Sequence, residues 1–231
     1  METLRVLALF SGGKDSTLSV WRVIKMGYEV VGLLTVKPLN PESWMFHYPC
    51  IGLTHLQSKA MNIPIYSIVS RGEKEEEVLD LKNALEELKK SLRFEGLVSG
   101  AIESSYQKTR IDRVCREIGL ISLTPLWHEN PEKLLREVIE EGFEVVFTAV
   151  SAEGLTEKWL NRKLDFEALE ELKILNKKFG IHLSLEGGEG ETFVKDAPLF
   201  NKRIEFLDVE KVWRRGSGYL LVKKAVLVDK N

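Results

Sequence analysis

The stretch Val6-Leu7-Ala8-Leu9-Phe10-Ser11-Gly12-Gly13-Lys14-Asp15-Ser16-Thr17-Leu18-Ser19-Val20-Trp21 decides the fold. A short continuous apolar run is the pattern of a parallel strand buried on both faces. Two adjacent glycines end it, and a helical pattern begins directly after them. Strand, tight turn and helix start, in that order, gather backbone N–H groups and the positive end of a helix dipole at one point. Gly12 and Gly13 carry no Cβ, so an anion can reach the backbone closely. Lys14 adds a full positive charge, and Ser11 and Ser16 add hydroxyl donors. The guest that suits this set is a phosphate.

The glycine spacing separates this loop from the commoner phosphate loops. A Walker loop needs glycine where Ala8 stands, and Ser or Thr where Asp15 follows Lys14. A Gly-x-Gly-x-x-Gly turn is excluded because Gly12 and Gly13 are adjacent. The motif S-G-G-x-D-S resembles the pyrophosphate loop (PP-loop) of the N-type ATP pyrophosphatases. That resemblance implies ATP bound through its β- and γ-phosphates and cut at the α-phosphate, leaving an adenylated intermediate and pyrophosphate. A carboxylate beside polyphosphate makes chemical sense with Mg²⁺ between them, and Asp15 is the residue placed to hold it.

Outward from this loop, strand and helix patterns alternate. Strands are expected at 29–36, 65–69, 97–101 and 120–123, with helices at 16–27, 53–62, 73–94 and 107–118. Val78, Leu81, Leu85, Leu88 and Leu92 form one stripe on the longest helix. This alternation predicts an α/β fold with a doubly wound parallel sheet, in which ligands sit at the carboxyl ends of the strands. Thr35, Val36, Gly100 and Ala101 fall there, beside the loop. After Leu126-Trp127 the pattern changes. Asn130-Pro131 opens a helix, a strand runs over 144–150, an amphipathic helix over 165–179, and extended runs over 204–207 and 218–228. The expected domains are an ATP-binding domain over 1–126 and a smaller mixed α/β substrate-recognition domain over 127–231, with the active site in the cleft between them.

Composition narrows the class. Of 231 residues, 44% are hydrophobic and 29% charged, as in ordinary globular proteins. A net charge of −2 gives no electrostatic footprint for nucleic acid, and no apolar run reaches membrane-spanning length. Cys50 and Cys115 are the only cysteines and form no Cys-x-x-Cys pair, so the cytoplasm, with reduced thiols, is the expected compartment. The oligomeric state is left open, a homodimer included.

The second unusual stretch is Glu186-Gly187-Gly188-Glu189-Gly190-Glu191-Thr192, three glycines and three carboxylates within seven residues. An exposed loop can have this composition. The functional alternative is a backbone that wraps a substrate, with carboxylates placed for ammonium, which they stabilise and can deprotonate. Here resemblance adds what spacing does not. E-G-G-E-G-E-T-F, followed by D-A-P-L-F at 196–200, resembles the diphthine–ammonia ligase family. Gly100-Ala101-Ile102 with Ser105-Tyr106-Gln107 and Arg110, Pro125-Leu126-Trp127, and Gly154-Leu155 with Trp159-Leu160 fit the same family.

The resemblance implies amidation of diphthine, a modified histidine on translation elongation factor 2, using ATP and ammonium and releasing AMP and pyrophosphate. It implies Lys14, Asp15 and Glu189 as catalytic residues. Ser11 to Ser16, Thr35, Val36, Gly100 and Ala101 would hold ATP. Tyr106, Gln107, Arg110, Glu186, Gly187, Gly188, Glu189, Glu191 and Thr192 would meet the substrate. No glutaminase module is apparent, which points to free ammonium as the nitrogen source, or else to a separate partner that delivers it. Trp127 and Trp159 are either packing residues or a cation–π wall for the trimethylammonium of diphthine. Met45-Phe46-His47 is expected to lid the nucleotide. A tRNA-modifying enzyme of the same superfamily and a nucleotide-binding sensor without turnover are the alternatives.

Overall fold

The computed structural model describes residues 3–38, 50–70 and 74–230. The described residues divide into two compact units. One comprises those within Met1–Ser11, Asp15–His47 and Ile63–Trp127; the other, those within Gly12–Lys14, Tyr48–Asn62 and His128–Asn231. The expected lid Met45-Phe46-His47 lies outside the described residues.

In the first unit the chain runs β1 (Arg5–Leu9), α1 (Lys14–Lys25) and β2 (Glu29–Pro38). After α2 (Thr54–Met61), which belongs to the second unit, come β3 (Ile65–Ser70), α3 (Lys74–Ser91), β4 (Gly96–Val98), α4 (Ser105–Ile118) and β5 (Ile121–Leu123). The five strands form one parallel sheet in the order β3-β2-β1-β4-β5. The chain therefore reverses direction across the sheet beside β1, the switch point at which such folds hold ligands. Val6, Leu7 and Ala8 of β1 are all fully buried, as a central strand covered on both faces requires. On one face Leu7, Leu34 and Leu97 join Leu85 of α3 and Val114 and Cys115 of α4 in a single apolar cluster. The rest of the stripe on α3 (Val78, Leu81, Leu88, Leu92) packs against it. Helix α4 starts where the Ser104 side chain accepts from Gln107 N and stops at Gly119, whose φ of +69° suits a residue without a Cβ.

The second unit adds α5 (Pro131–Glu140), β6 (Glu144–Val150), α6 (Phe166–Phe179), β7 (Gly190–Asp196), β8 (Lys202–Arg214) and β9 (Ser217–Asp229). Its four strands pair antiparallel in the order β7-β6-β9-β8. Asn130 caps α5 through Lys133 N with Pro131 in the first turn, and Asp165 caps α6 through Ala168 N. Strand β9 extends the expected run over 218–228 by one residue at each end, while β8, with thirteen residues, is longer than the expected run over 204–207. Exposed positions interrupt its apolar alternation, so cross-strand pairing rather than burial sets its length. The glycine–acid run is only partly loop, because from Gly190 it is strand β7, paired along β6. Among the described residues no helix is long and apolar enough to cross a membrane.

Two predictions test these contacts. A Cβ on Gly100 would lie 2.9 Å from Ser16 N and 3.0 Å from the Asp15 carbonyl carbon, both backbone atoms at the start of α1. Gly100→Ala is expected to cost about 1–3 kcal/mol of stability by forcing that approach apart, which urea unfolding measures. In the second unit Arg162 donates Nη1 to Glu171 Oε2 at 2.6 Å and Nη2 to Oε1 at 2.8 Å, with its guanidinium 4.6 Å from the Trp159 ring centroid. The hydrogen bonds from Arg162 hold the Glu171 carboxyl below its ordinary range. A lowered folded pKa gives stability that is full above the unfolded value and lost as pH falls through the folded one. The thermal midpoint of Glu171→Gln is thus expected below that of the wild type at neutral pH. The gap should close as calorimetry is carried down through the acid carboxylate range.

Candidate functional site

The phosphate loop leaves the carboxyl end of β1 and enters α1 within five residues. In the first unit its flanks are tied to neighbouring strands. Phe10 N donates to Leu34 O at 2.8 Å, and Thr35 Oγ1 donates to Phe10 O at 2.8 Å. Thr35 is fully buried, so its hydroxyl holds the end of β1 in place. Ser11 Oγ and Ser16 Oγ lie 3.2 Å apart, facing each other across the turn. Gly100 follows β4 against the start of α1, and Ala101 beside it is buried. Ser11, Ser16, Asp15, Thr35, Gly100 and Ala101 are thus gathered at the strand ends of one sheet, and Val36 continues β2 next to them.

The centre of the loop is held by the second unit. The Gly12 carbonyl accepts from Val194 N at 3.0 Å and from Gln57 Nε2 at 2.8 Å. The same Gln57 nitrogen donates to Val194 O at 2.8 Å. Lys14 N donates to Thr192 Oγ1 at 3.1 Å, and Lys14 Nζ donates to the Ser184 carbonyl at 2.6 Å. Lys14 is only 4% exposed, so its ammonium is buried among polar atoms. Gly12 has φ +84°, a conformation that favours glycine. Two residues of β7, Val194 and Thr192, therefore position Gly12 and Lys14 on either side of Gly13.

The acidic run continues this network. Glu189 Oε1 accepts from His182 N at 2.9 Å, and His182 Nδ1 accepts from Ser184 N at 3.2 Å. Ser184 in turn receives Lys14 Nζ on its carbonyl oxygen. Hydrogen bonds thus link the Glu189 carboxylate to the Lys14 ammonium through two short steps of chain. Gly187 lacks a Cβ where one would meet Glu189 Oε1 at 2.7 Å, so the carboxylate folds back over its own turn. Ser151 Oγ donates to Gly188 O at 2.6 Å and Ser151 N to Glu189 O at 2.8 Å, fixing the run on β6. Among the described residues, Glu189 Oε2, Ser184 Oγ and Gln57 Oε1 are buried polar atoms without a hydrogen-bond partner. Glu186 and Glu191 are half-buried and Gly187 and Gly188 exposed, flanking Glu189 on both sides.

The remaining expected residues belong to other elements. Tyr106, Gln107 and Arg110 are on the first turns of α4, where the Arg110 guanidinium sits 3.5 Å from the Tyr106 ring centroid. Trp159 is 4% exposed, packed edge-on at 4.9 Å against Phe147 and under Arg162, which makes it a core residue. Trp127 has Lys108 Nζ 5.4 Å from its ring centroid. Burial pushes the Cys50 thiol up to about 12 and the Cys115 thiol up to about 11, so neither is a thiolate at neutral pH. Among the described residues no group of three or more His, Cys, Asp or Glu could hold a metal. A single carboxylate at the loop, Asp15, still suits Mg²⁺, which takes one or two carboxylates together with substrate phosphates and waters. Gln57, His182 and Ser184 were missed by sequence reasoning. Their partners are 45, 7 and 170 residues away, and no local spacing marks them.

The chain is similar to known proteins over most of its length. The chain matches the family models for the diphthamide synthase N-terminal domain over residues 4–122 and the diphthamide synthase C-terminal domain over residues 130–228. It is 38% identical to a diphthine–ammonia ligase of Rattus norvegicus, over 87% of this chain and 82% of that protein. Identity to the Homo sapiens diphthine–ammonia ligase is 37%, again over 87% and 82%. The Schizosaccharomyces pombe diphthine–ammonia ligase is 37% identical over 96% of this chain, but the chain spans only 40% of that longer relative. Among solved structures, one described as a predicted subunit of a tRNA methyltransferase from Methanocaldococcus jannaschii superposes with a TM-score of 0.43 at 21% identity, covering 84% of this chain and 99% of that one. Both domain models match in order, and the phosphate loop and the glycine–acid run meet in one hydrogen-bonded network, so the chain belongs to the diphthamide synthase family of diphthine–ammonia ligases.

Proposed function

We propose that the chain amidates diphthine on translation elongation factor 2 with ammonium and ATP, giving diphthamide, AMP and pyrophosphate. One observation carries the reading: Thr192, at the end of the glycine–acid run, accepts from Lys14 N in the phosphate loop. The residues read as holding polyphosphate and the residues read as meeting the acceptor are thereby one construction.

The chemistry follows from the groups in place. A diphthine carboxylate oxygen attacks the α-phosphorus of ATP, and the α–β bridge oxygen leaves with pyrophosphate. Ammonia then attacks the acyl carbon of the adenylate, and AMP departs. The loop and Lys14 hold the leaving pyrophosphate by fixed dipoles and charge. Asp15 would hold Mg²⁺, which neutralises polyphosphate charge when bound. Glu189 stands on the acidic run as the group that takes a proton from ammonium. Gly100, Ala101 and Thr35 shape the nucleotide end, while Tyr106, Gln107 and Arg110 of α4 serve the substrate. No step needs a protein nucleophile, in keeping with two buried, protonated thiols.

Incubation with ATP, ammonium and diphthine-bearing elongation factor 2 should release AMP and convert diphthine to diphthamide by mass. ADP in place of AMP would overturn the α–β cleavage. Lys14→Met is expected to lower kcat/KM for ATP by about a hundred- to a thousandfold, the usual loss when one charged or dipolar stabiliser is removed. Glu189→Gln should lower the rate by about a hundredfold at saturating ATP, with ATP binding retained, as for loss of a proton acceptor. Unchanged turnover in that variant would remove Glu189 from the reaction, whereas ATP binding by the wild type without any turnover would favour a nucleotide sensor. Replacing Cys50 and Cys115 with Ala should leave turnover intact, whereas a sulfur-transferring enzyme would lose it.

A further inference from the structure

We propose that Gln57 is the positioning residue that orients the phosphate-binding backbone of the loop, acting through the Gly12 carbonyl. The inference rests on the phosphate reading of the loop given above. Gln57 is fully buried on α2. Its Nε2 donates to both Gly12 O and Val194 O, each at 2.8 Å, so the two N–H groups of one amide bridge the loop and β7. Gly12 O also accepts from Val194 N at 3.0 Å, which closes a three-cornered clasp of loop, strand and amide.

Packing alone does not account for a glutamine here. An apolar side chain would fill the same space without a buried oxygen that lacks a partner, as Gln57 Oε1 does. That oxygen lies 2.3 Å from where a Gly12 Cβ would stand. The amide therefore occupies the space that the glycine leaves, and the two residues fit as a pair.

The effect on the ligand follows from peptide geometry. In a planar trans peptide the C=O of one residue and the N–H of the next point in opposite directions. Fixing the Gly12 carbonyl toward Gln57 and Val194 fixes the Gly13 N–H away from them. A Gly-Gly pair is otherwise the most freely rotating peptide in a chain. Thr192 accepts from the next N–H, that of Lys14, and so ties the following peptide to β7. Anion recognition by backbone N–H groups depends on how such peptides are oriented. The class of ligand is an inorganic or nucleoside polyphosphate, bound through its terminal phosphates.

Calorimetry of the full chain with inorganic pyrophosphate and with AMP separates this role from a structural one. Gln57→Met keeps length and apolar volume but removes both donors. Its Kd for pyrophosphate is expected to rise about tenfold, the equivalent of one charge-assisted hydrogen bond misdirected, with the Kd for AMP unchanged. Equal weakening of both ligands, or of neither, overturns the proposal. Absence of pyrophosphate binding to the wild type overturns the phosphate reading itself and is told apart by that control. Should Gln57→Met not fold, the wild type supplies the answer. Its Gln57 side-chain amide resonances should shift when pyrophosphate is added and stay in place with AMP, and resonances indifferent to pyrophosphate overturn the proposal.

Discussion

The Gly12 carbonyl is the atom on which the site depends. It accepts from a main-chain N–H of β7 and from a buried side-chain amide, and both donors are themselves fixed by regular structure. A turn of two glycines has no conformation of its own to defend, since glycine loses more freedom on ordering than any other residue. Its geometry must come from outside the turn. In the first unit the flanks are pinned by Leu34 and Thr35, and in the second the centre is pinned by Val194, Gln57 and Thr192. The loop is thus a short flexible segment made rigid by five partners, none of them among its own residues. Fixed dipoles of that kind need no reorganisation when charge arrives, which is the condition for electrostatic catalysis.

The Lys14 ammonium obeys the same logic with the sign of charge added. A buried ammonium is costly unless its protons find oxygens, and the Ser184 carbonyl supplies one at 2.6 Å. A carbonyl offers a dipole where a phosphate would offer a full charge. The side chain is therefore held in place by a dipole of the main chain. The negative group of the network, Glu189, stands beyond His182 and Ser184 and receives a backbone N–H. Lys14 and Glu189 thus sit on one hydrogen-bonded path that runs through Ser184 and His182.

Much of this was legible in the sequence, for reasons that differ by element. The parallel strands declared themselves because burial on both faces leaves no choice but a continuous apolar run, as in Val6 to Phe10. Helix α5 declared its start through Asn130 and Pro131, since capping is satisfied within three residues, whereas α4 begins at Ser105, two residues ahead of the expected start. The phosphate loop and the glycine–acid run were visible as anomalies of composition. Their junction was not, because Thr192 meets Lys14 across 178 residues and nothing local records a partner at that distance. Gln57 was invisible for a related reason. It lies on a short helix whose buried residues include Thr54 and Ser58, and an amide there reads as one polar residue among several. Trp159 could be read either as a cation–π wall or as packing, and the structure resolves it: Phe147 and Arg162 enclose the ring.

The order of residues along β7 explains how the acidic run comes to be joined to the turn. Glu189 precedes Thr192 by three positions and Val194 by five, so the whole distance from acidic run to phosphate clasp is about 17 Å of extended chain. A strand transmits displacement along its axis with little loss, because its ladder resists shear; here Gly190 to Asp196 are paired along β6. Strand β7 begins one residue after Glu189, so the pairing on β6 that orders this run also places Thr192 and Val194. Those two residues hold Lys14 N and the Gly12 carbonyl, and the turn takes its geometry from the register of that strand rather than from its own glycines.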